Sequence, residues 1–392
     1  MALMQGLTSD KQWGQTLSLH KAQEFVLQQS LRAAVETVPL QQALHRVLAQ
    51  DVLIPEDIPP FSVALTDGYA IRHKDACTDQ IIPVVRTPAV DDTAIQLPMS
   101  SAAQIVKGAR LPMGADTVIS PEQCMYAGYQ LRLHESVTAK SNIMTKAEFA
   151  RQGHVIAQAG QGINNILLAI LAELSLSQVA IHPTPSISVA LFSSNPQEPL
   201  ACHCWLTQAT QGAHVDWHTW SSKHENNSDS LVTMVQQSTA SLVVVAGDIP
   251  QLDWNHIQES LYGGLHEVVL ADGQQLLLGK LADKLVLVLP VLKQELMILA
   301  TWLIQPWIRQ QLGRQTRLQK VTTSRKLDNS SPFDRLALAV SEFGGRGLRV
   351  KPCKDQAAGT AVQAVGANGI VLMPSKSEIG IGQKAEFLGF VG

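Results

Sequence analysis

Pro59-Pro60-Phe61-Ser62-Val63-Ala64-Leu65-Thr66-Asp67-Gly68-Tyr69-Ala70-Ile71-Arg72 is the stretch that organises the chain. Two prolines stop whatever precedes them, since neither donates a backbone hydrogen bond. Phe61, Val63 and Leu65 alternate with small residues, the period of a half-buried strand. Asp67-Gly68 predicts a tight turn, with glycine free to take positive φ. Tyr69 to Ile71 resume the extended pattern, and Arg72 closes it. A carboxylate is thereby held on a rigid turn, from which side chains are readily aimed at a ligand. Taken alone, an Asp-Gly pair reads as a plain hairpin turn.

The rest of the chain sets limits. Its 392 residues predict two or more domains, and 45% hydrophobic against 16% charged residues suits a globular protein with real cores. A net charge of −3 carries no polyanion-binding signature, so no nucleic-acid partner is expected. No apolar run reaches the length of a membrane span. Met1 to Trp13 lacks the basic start and apolar core of a signal peptide. Five cysteines, an odd number in a long chain, argue for reduced thiols and a cytoplasmic location.

In chain order, Ser18 predicts the cap of a helix reaching about Val35, and Leu40 to Ala49 a second short helix. From Ile81 to Leu133 the pattern is β-like, with short apolar runs separated by Gly, Pro and Asp, which predicts a small inserted β-rich domain. Asn164 caps a helix to Leu174. From Ser186 strands and helices alternate. Ile187–Phe192, His214–Trp220, Leu242–Ala246, His266–Leu270, Leu276–Leu278 and Leu285–Leu289 are the strands. Such alternation predicts a parallel sheet covered on both faces, with ligands outside the carboxyl ends of the strands. The loops after Phe192, Ala246 and Leu289 are therefore where chemistry is expected. A long helix spans Lys293 to Leu312, with Pro306 expected to kink or split it. Beyond Gly313 the glycine-punctuated extended pattern predicts a small C-terminal β-barrel.

The organising stretch resembles the signature of the MoeA family, the molybdopterin molybdenumtransferases, whose usual form is close to P-x-F-D-N-S-A-M-D-G-Y-A-V-R. Lys107 to Glu122, K-G-A-R-L-P-M-G-A-D-T-V-I-S-P-E, is similar to a second family motif, T-G-A-P-x-P-x-G-A-D-x-V-x-x-x-E. The similarity covers nearly the whole chain; it is specific at these N-terminal motifs and diffuse after about Ala190. The resemblance implies a multidomain α/β plus β protein. Its parts are an N-terminal elongated α+β region (1–50 and 139–183), an inserted β-rich domain (51–138), a three-layer α/β domain of the MogA/MoaB-like kind (184–313) and the C-terminal β-barrel (314–392). It implies a homodimer with its site in a cleft between the N-terminal region of one subunit and the α/β domain of the other. It also implies molybdopterin, adenylylated molybdopterin and molybdate as ligands, Mg²⁺ as the divalent metal, and a MogA-like protein as a partner.

Carried over residue by residue, the resemblance places two acids in catalytic positions: Asp67, the Asp of D-G-Y, and Glu148, the first acid of the family's R-R-x-G-E-D. The second acid is Phe149 here, and metal ligands are left unassigned. In the α/β domain the cofactor-binding positions fall on Ser193, Ser194, Gly247, Asp248, Gly273 and Lys293. These loops depart from the family. S-T-G-D-E becomes Ser193-Ser194-Asn195-Pro196-Gln197, losing both acids unless Glu198 substitutes. S-G-G-x-S-x-G keeps a single glycine, Gly247, beside Asp248. K-P-G-K-P becomes Ala271-Asp272-Gly273-Gln274-Gln275, and L-P-G-N-P-V-S becomes Leu289-Pro290-Val291-Leu292-Lys293-Gln294-Glu295. A pyrophosphate needs open backbone N–H groups and cations, and both are reduced.

Two readings follow. One is an enzyme of molybdenum cofactor biosynthesis that inserts molybdate into adenylylated molybdopterin, with impaired activity. The other is a non-catalytic, dimeric scaffold or partner-binding protein. A further constellation, Cys202, Cys204, His214 and His218, approaches zinc spacing, but C-x-C is too tight for the usual knuckle.

Overall fold

The computed structural model describes residues 16–29, 34–78, 80–85, 96–222, 228–291, 293–316, 318–344, 347–353 and 365–390. The reading of Met1 to Trp13 lies outside them. The chain forms two compact units. One gathers residues up to Val38, His45–Ala49 and Ala180 onward; the other holds Pro39–Leu44 and Gln50–Val179.

The second unit is built on a six-stranded sheet. Its strand order is Thr117–Ile119, Gly68–Ile71, Ala102–Ile105, Ile81–Val85, Gln130–Leu133 and Cys124–Ala127. Ile71, Ile82, Ile119, Leu131 and Leu133 close one apolar face, and Ala64, Ala70, Ile105 and Val118 the other. The organising stretch supplies two strands, Val63–Ala64 and Gly68–Ile71. Gly68 does not sit in a tight turn as expected; it opens a strand, at φ +158°. Glycine is required there for space: a Cβ would lie 2.0 Å from the Ile119 carbonyl oxygen.

The first unit carries the α/β layer. Sheet order is His214–Ser221, Ser186–Ser193, Leu242–Gly247, Lys284–Leu289, Gln275–Leu281 and Tyr262–Val269. The first four strands are parallel and the last two antiparallel. The expectation of a wholly parallel sheet is thus corrected. Leu270 to Gln274 and Ala282-Asp283 are hairpin connections, too short for the crossover helix that parallel pairing requires. Alternation along the central strands sorts their side chains to opposite faces. Ile187, Val189, Leu191, Leu242, Val244, Leu285 and Leu287 meet helices α3 (Glu198–Ala209) and α6 (Lys293–Gln311), whereas Ala190, Phe192, Val243, Val245 and Val286 meet α4 (Ser228–Gln237) and α5 (Gln251–Ser260). Three layers result.

Helix α6 runs through Pro306 as one helix and does not split there. Burial outweighs the lost hydrogen bond: Trp302, Leu303, Ile304, Trp307 and Ile308 are all within 1% of full burial. Each contributes roughly 2–3 kcal/mol of apolar burial, as much as a proline in a helix costs. Helix α1 (Leu19–Gln28) docks on it, with Gln23 Nε2 donating to the Trp302 carbonyl at 2.7 Å and Trp302 Nε1 to that of Leu19 at 2.9 Å. It ends well before Val35, and Glu36–Pro39 is a strand. The second predicted helix, Leu40 to Ala49, is also corrected. A single 3₁₀ turn, Leu40–Gln42, is followed by Val47–Leu48 paired with Ile181 and His182. Tertiary pairing overrides local propensity there. Asn164 caps α2 (Asn165–Glu173) as expected, accepting from Leu167 N at 2.9 Å.

The C-terminal strands Gln319–Thr323, Gly347–Pro352, Arg335–Gly344, Gly369–Met373 and Lys384–Gly389 close into a barrel. Val321, Ala339, Val350, Val371 and Phe387 fill it, while Leu338, Ile370, Leu372 and Leu388 join the core beneath α6.

Candidate functional site

Three parallel strands end together, at Ser193, Gly247 and Leu289, and their loops join Ser193 and Lys293 through Glu198 and pair Ser194 with Asp248. Ser193 Oγ donates to the Asn195 carbonyl and to Glu198 Oε2, both at 2.9 Å. Glu198 Oε1 lies 3.0 Å from Lys293 Nζ. Ser194 Oγ reaches Asp248 Oδ2 at 3.4 Å. Gly247 turns the chain at φ +101°, so that Asp248 N donates to the Phe192 carbonyl at 3.0 Å. Lys293 sits at φ +54°, a conformation rare for a side chain of its size, and its N–H donates to Cys202 Sγ at 3.4 Å.

Electrostatics ties the cluster shut. The Lys293 hydrogen bond, then that of Ser193, holds the Glu198 carboxyl below its ordinary range. Glu198 in turn, with a smaller pull from Asp248, raises the Lys293 ammonium. A depressed carboxylate contributes stability above its unfolded pKa, and that stability is lost as pH falls through the lower, folded value. Glu198→Gln is therefore expected to lower stability at pH 7 by roughly 1–2 kcal/mol, the range of a charge-assisted hydrogen bond discounted for the half-exposed lysine. The difference from wild type should shrink as pH falls below the ordinary glutamate range and vanish only below the lower, folded value. Urea unfolding at pH 7 and through this acid range checks this; a constant difference would show that the pair carries no stability.

Gly273 stands apart. It lies in the hairpin turn after Tyr262–Val269, where Asp272 Oδ1 accepts from Gln274 N at 3.1 Å. This turn borders a cavity of about 500 Å³, whose polar lining includes Asp272, Glu295, Asp328, Asp334 and Arg335. Desolvation at its wall, and then the Asp272 charge, push the Glu295 carboxyl up, against the opposing pull of Lys293.

Asp67 and Glu148 are in the other unit. Asp67 Oδ1 accepts from Lys107 N at 2.7 Å, and Glu148 Oε2 accepts from Thr145 N at 2.7 Å and from Thr145 Oγ1 at 3.0 Å. Each carboxylate is exposed and keeps its second oxygen uncommitted among the described residues. They are not brought together within the chain. Asp67 follows Val63–Ala64 and Glu148 follows Ile143–Met144; these strands pair antiparallel, so the acids flank opposite ends of the ribbon.

The residues present do not fit a divalent metal at the strand ends. Glu198 is held by Lys293 and Ser193, and the described residues contain no group of three His, Cys, Asp or Glu placed to hold one. Cys202 and Cys204 face opposite ways on α3, one buried and one exposed. His214 pairs with Asp216 at 3.2 Å, and His218 stacks on Trp220. The participation of Glu198 was legible only as a conditional substitute for lost acids. Its bond to Lys293 joins residues far apart in sequence, with no motif to signal it.

Residues 17–175 match the family model described as the MoeA N-terminal region, domains I and II. A molybdopterin molybdenumtransferase of Staphylococcus epidermidis is 21% identical across 91% of this chain and 91% of its own length. Another, from Staphylococcus aureus strain Mu50, is 31% identical over 175 residues, 43% of this chain and 41% of its own. Among solved structures, the molybdopterin biosynthesis MoeA protein of Pyrococcus horikosii superposes with a TM-score of 0.78 at 21% identity, covering 96% of this chain and all of that one. A molybdenum cofactor biosynthesis protein of Pyrococcus furiosus gives 0.54 at 11% identity over 95% of this chain. No helix among the described residues is long and apolar enough to cross a membrane.

Proposed function

We propose that this chain, which belongs to the MoeA family, works in molybdenum cofactor biosynthesis as a homodimer that handles molybdopterin or its adenylylated form with impaired activity. The observation that carries this is the N-terminal signature. It is intact where the family's acid is expected, and Asp67 is fixed by one oxygen to the Lys107 N–H while the other has no hydrogen-bond partner among the described residues. A carboxylate held this way can take a proton or orient a ligand without reorganising. Glu148 is anchored in the same manner by Thr145.

The α/β loops support a weaker hold on substrate. Where a phosphate would meet backbone N–H groups and free cations, Asp248 N is spent on Phe192, and Lys293 is spent on Glu198. The residues at the strand ends do not fit Mg²⁺. That closed pair is also what favours the second reading, a non-catalytic scaffold that keeps the family fold and binds a protein such as a MogA-like partner.

Asp67→Asn separates the readings. An amide oxygen still accepts from Lys107 N, so the melting temperature is expected to stay within about 1–2 °C of wild type. Any insertion of molybdate into adenylylated molybdopterin should be abolished. Unchanged activity in Asp67→Asn would remove the carboxylate from the mechanism, and no activity in wild type would favour the scaffold.

A further inference from the structure

Lys293 is the first residue of helix α6, and it is poorly suited to that place on two counts. At φ +54° its backbone is in the left-handed region that a long L side chain rarely adopts. Its ammonium also sits at the positive end of the helix macrodipole, where anions are favoured. Both costs have to be offset by what the side chain meets.

What it meets is negative charge. Glu198 Oε1 lies 3.0 Å from Lys293 Nζ, and the two side chains differ in exposure, 13% for Glu198 against 53% for Lys293. A carboxylate so withdrawn from water needs a cation beside it. Its other oxygen accepts from Ser193 Oγ at 2.9 Å. Asp248, the second acid of these loops, accepts from Ser194 Oγ at 3.4 Å and, more weakly than Glu198, holds the same ammonium charged. Two carboxylates backed by two hydroxyls are an oxygen set of the kind that hard cations take, since Mg²⁺ keeps several waters and uses one or two carboxylates. They do not fit a metal here because a cation from the chain is already among them.

We propose that the Lys293 ammonium is the resident cation of the strand ends, standing where the family resemblance implies a divalent metal. The acids of the site are kept and satisfied internally. A tethered ammonium supplies one positive charge and N–H donors, with no open coordination position, so a ligand reaching these loops finds no Lewis acid. The assignment concerns the cation alone, goes beyond the function proposed above, and stands whether the chain is an enzyme or a scaffold.

The test asks whether removing the ammonium opens the site to a metal. Mn²⁺ shares the preference of Mg²⁺ for carboxylate and water ligands and is followed by paramagnetic resonance as it is titrated into the full chain. Wild type is expected to show no Mn²⁺ binding that depends on Glu198. Lys293→Ala is expected to bind Mn²⁺ on the order of tenfold or more tightly than wild type, because a competing charge within hydrogen-bond distance of the carboxylate is gone. Its melting temperature should rise with added Mn²⁺ while that of wild type stays fixed. Glu198→Gln in the Lys293→Ala background should remove both responses, which assigns them to this site and not to other surface acids. Lys293→Gly, at ease at the same φ, carries the test if Lys293→Ala does not fold. Glu198-dependent Mn²⁺ binding by wild type would overturn the proposal, because metal and lysine would then share the site. No gain of binding in the lysine variants would also overturn it, leaving Lys293 a plain salt-bridge partner. Neither readout depends on turnover, so the proposed function stands or falls separately.

Discussion

Gly247→Ala is expected to lower the unfolding midpoint of the α/β unit by on the order of 10 °C. Two costs combine. At φ +101° an alanine is held in a backbone region that L-residues rarely adopt, a cost of roughly 1–3 kcal/mol. Its Cβ would also lie 1.9 Å from the Phe192 carbonyl oxygen and 2.9 Å from its carbon. Those are backbone atoms of Phe192, a fully buried residue of an inner strand, and overpacking of this kind costs roughly 1–3 kcal/mol more. At about 2–4 °C per kcal/mol for a unit of this size, the shift is large. Gly273→Ala is the control. It carries a similar φ, +87°, but nothing lies within 4 Å of its Cβ, so only the strain remains. Equal melting temperatures for the two variants would refute the argument from contact.

Gly247 has a bearing on function as well. It is the single glycine kept in a loop where the family pattern has three. The close approach it permits is to Phe192, in its own sheet. The glycine therefore survives for the fold, and its presence says little about phosphate.

The fold was legible from sequence wherever period and punctuation agree. Leu242 to Ala246 and Leu285 to Leu289 are uniformly apolar because both faces of the sheet are covered, and no other element suits that pattern at that length. The barrel was legible from its spaced glycines. What failed was local. Leu40 to Ala49 has helical spacing, but Val47 and Leu48 are claimed by pairing with Ile181 and His182, some 130 residues away. Pro306 marks a break only when its neighbours are free to leave, and buried Trp302 and Trp307 are not. The antiparallel half of the sheet was written in the short connections on either side of Gln275–Leu281, a signal that alternation alone conceals.

The site divides in the same way. Asp67 and Glu148 were singled out through motif; the Thr145 anchor of Glu148 lies three residues away and is local enough to be looked for in sequence, whereas Asp67 is anchored by Lys107, 40 residues further along the chain. The pairing of Glu198 with Lys293 required the fold. A residue at the first turn of α3 meets one at the first turn of α6 only because the strands preceding both helices are parallel and end at the same level. Charge read loop by loop counts Lys293 as a cation available to an anion; the fold spends it.

That spent lysine leads to the other large expected effect: molybdopterin and its adenylylated form should bind this chain at least a hundredfold more weakly than a relative with intact loops. Two family lysines are replaced by Ala271 and Gln274, and each lost charge-assisted contact to phosphate removes roughly 1.5–3 kcal/mol. Two such losses exceed the 2.7 kcal/mol that corresponds to about a hundredfold in affinity. Among the described residues, the lining of the cavity beside the turn that carries Ala271 and Gln274 offers one cation, Arg335. Asp272 is fixed in the turn by Gln274 N, and Glu295 and Asp328 line the same cavity against a single Arg335. Of the two lysines that could compensate, Lys280 lies near the far end of strand Gln275–Leu281 from this turn, and Lys293 would have to give up Glu198 and leave that carboxylate half-stripped of partners. The measurement is anaerobic titration of the purified chain with molybdopterin, with and without adenylylation and Mg²⁺. Wild type is expected to show no saturation at micromolar ligand. Glu198→Gln, by releasing the lysine, is expected to bind several-fold more tightly than wild type. Low-micromolar binding by wild type that Lys293→Ala abolishes would mean that the lysine serves the ligand after all, and the reading of an impaired site would fall.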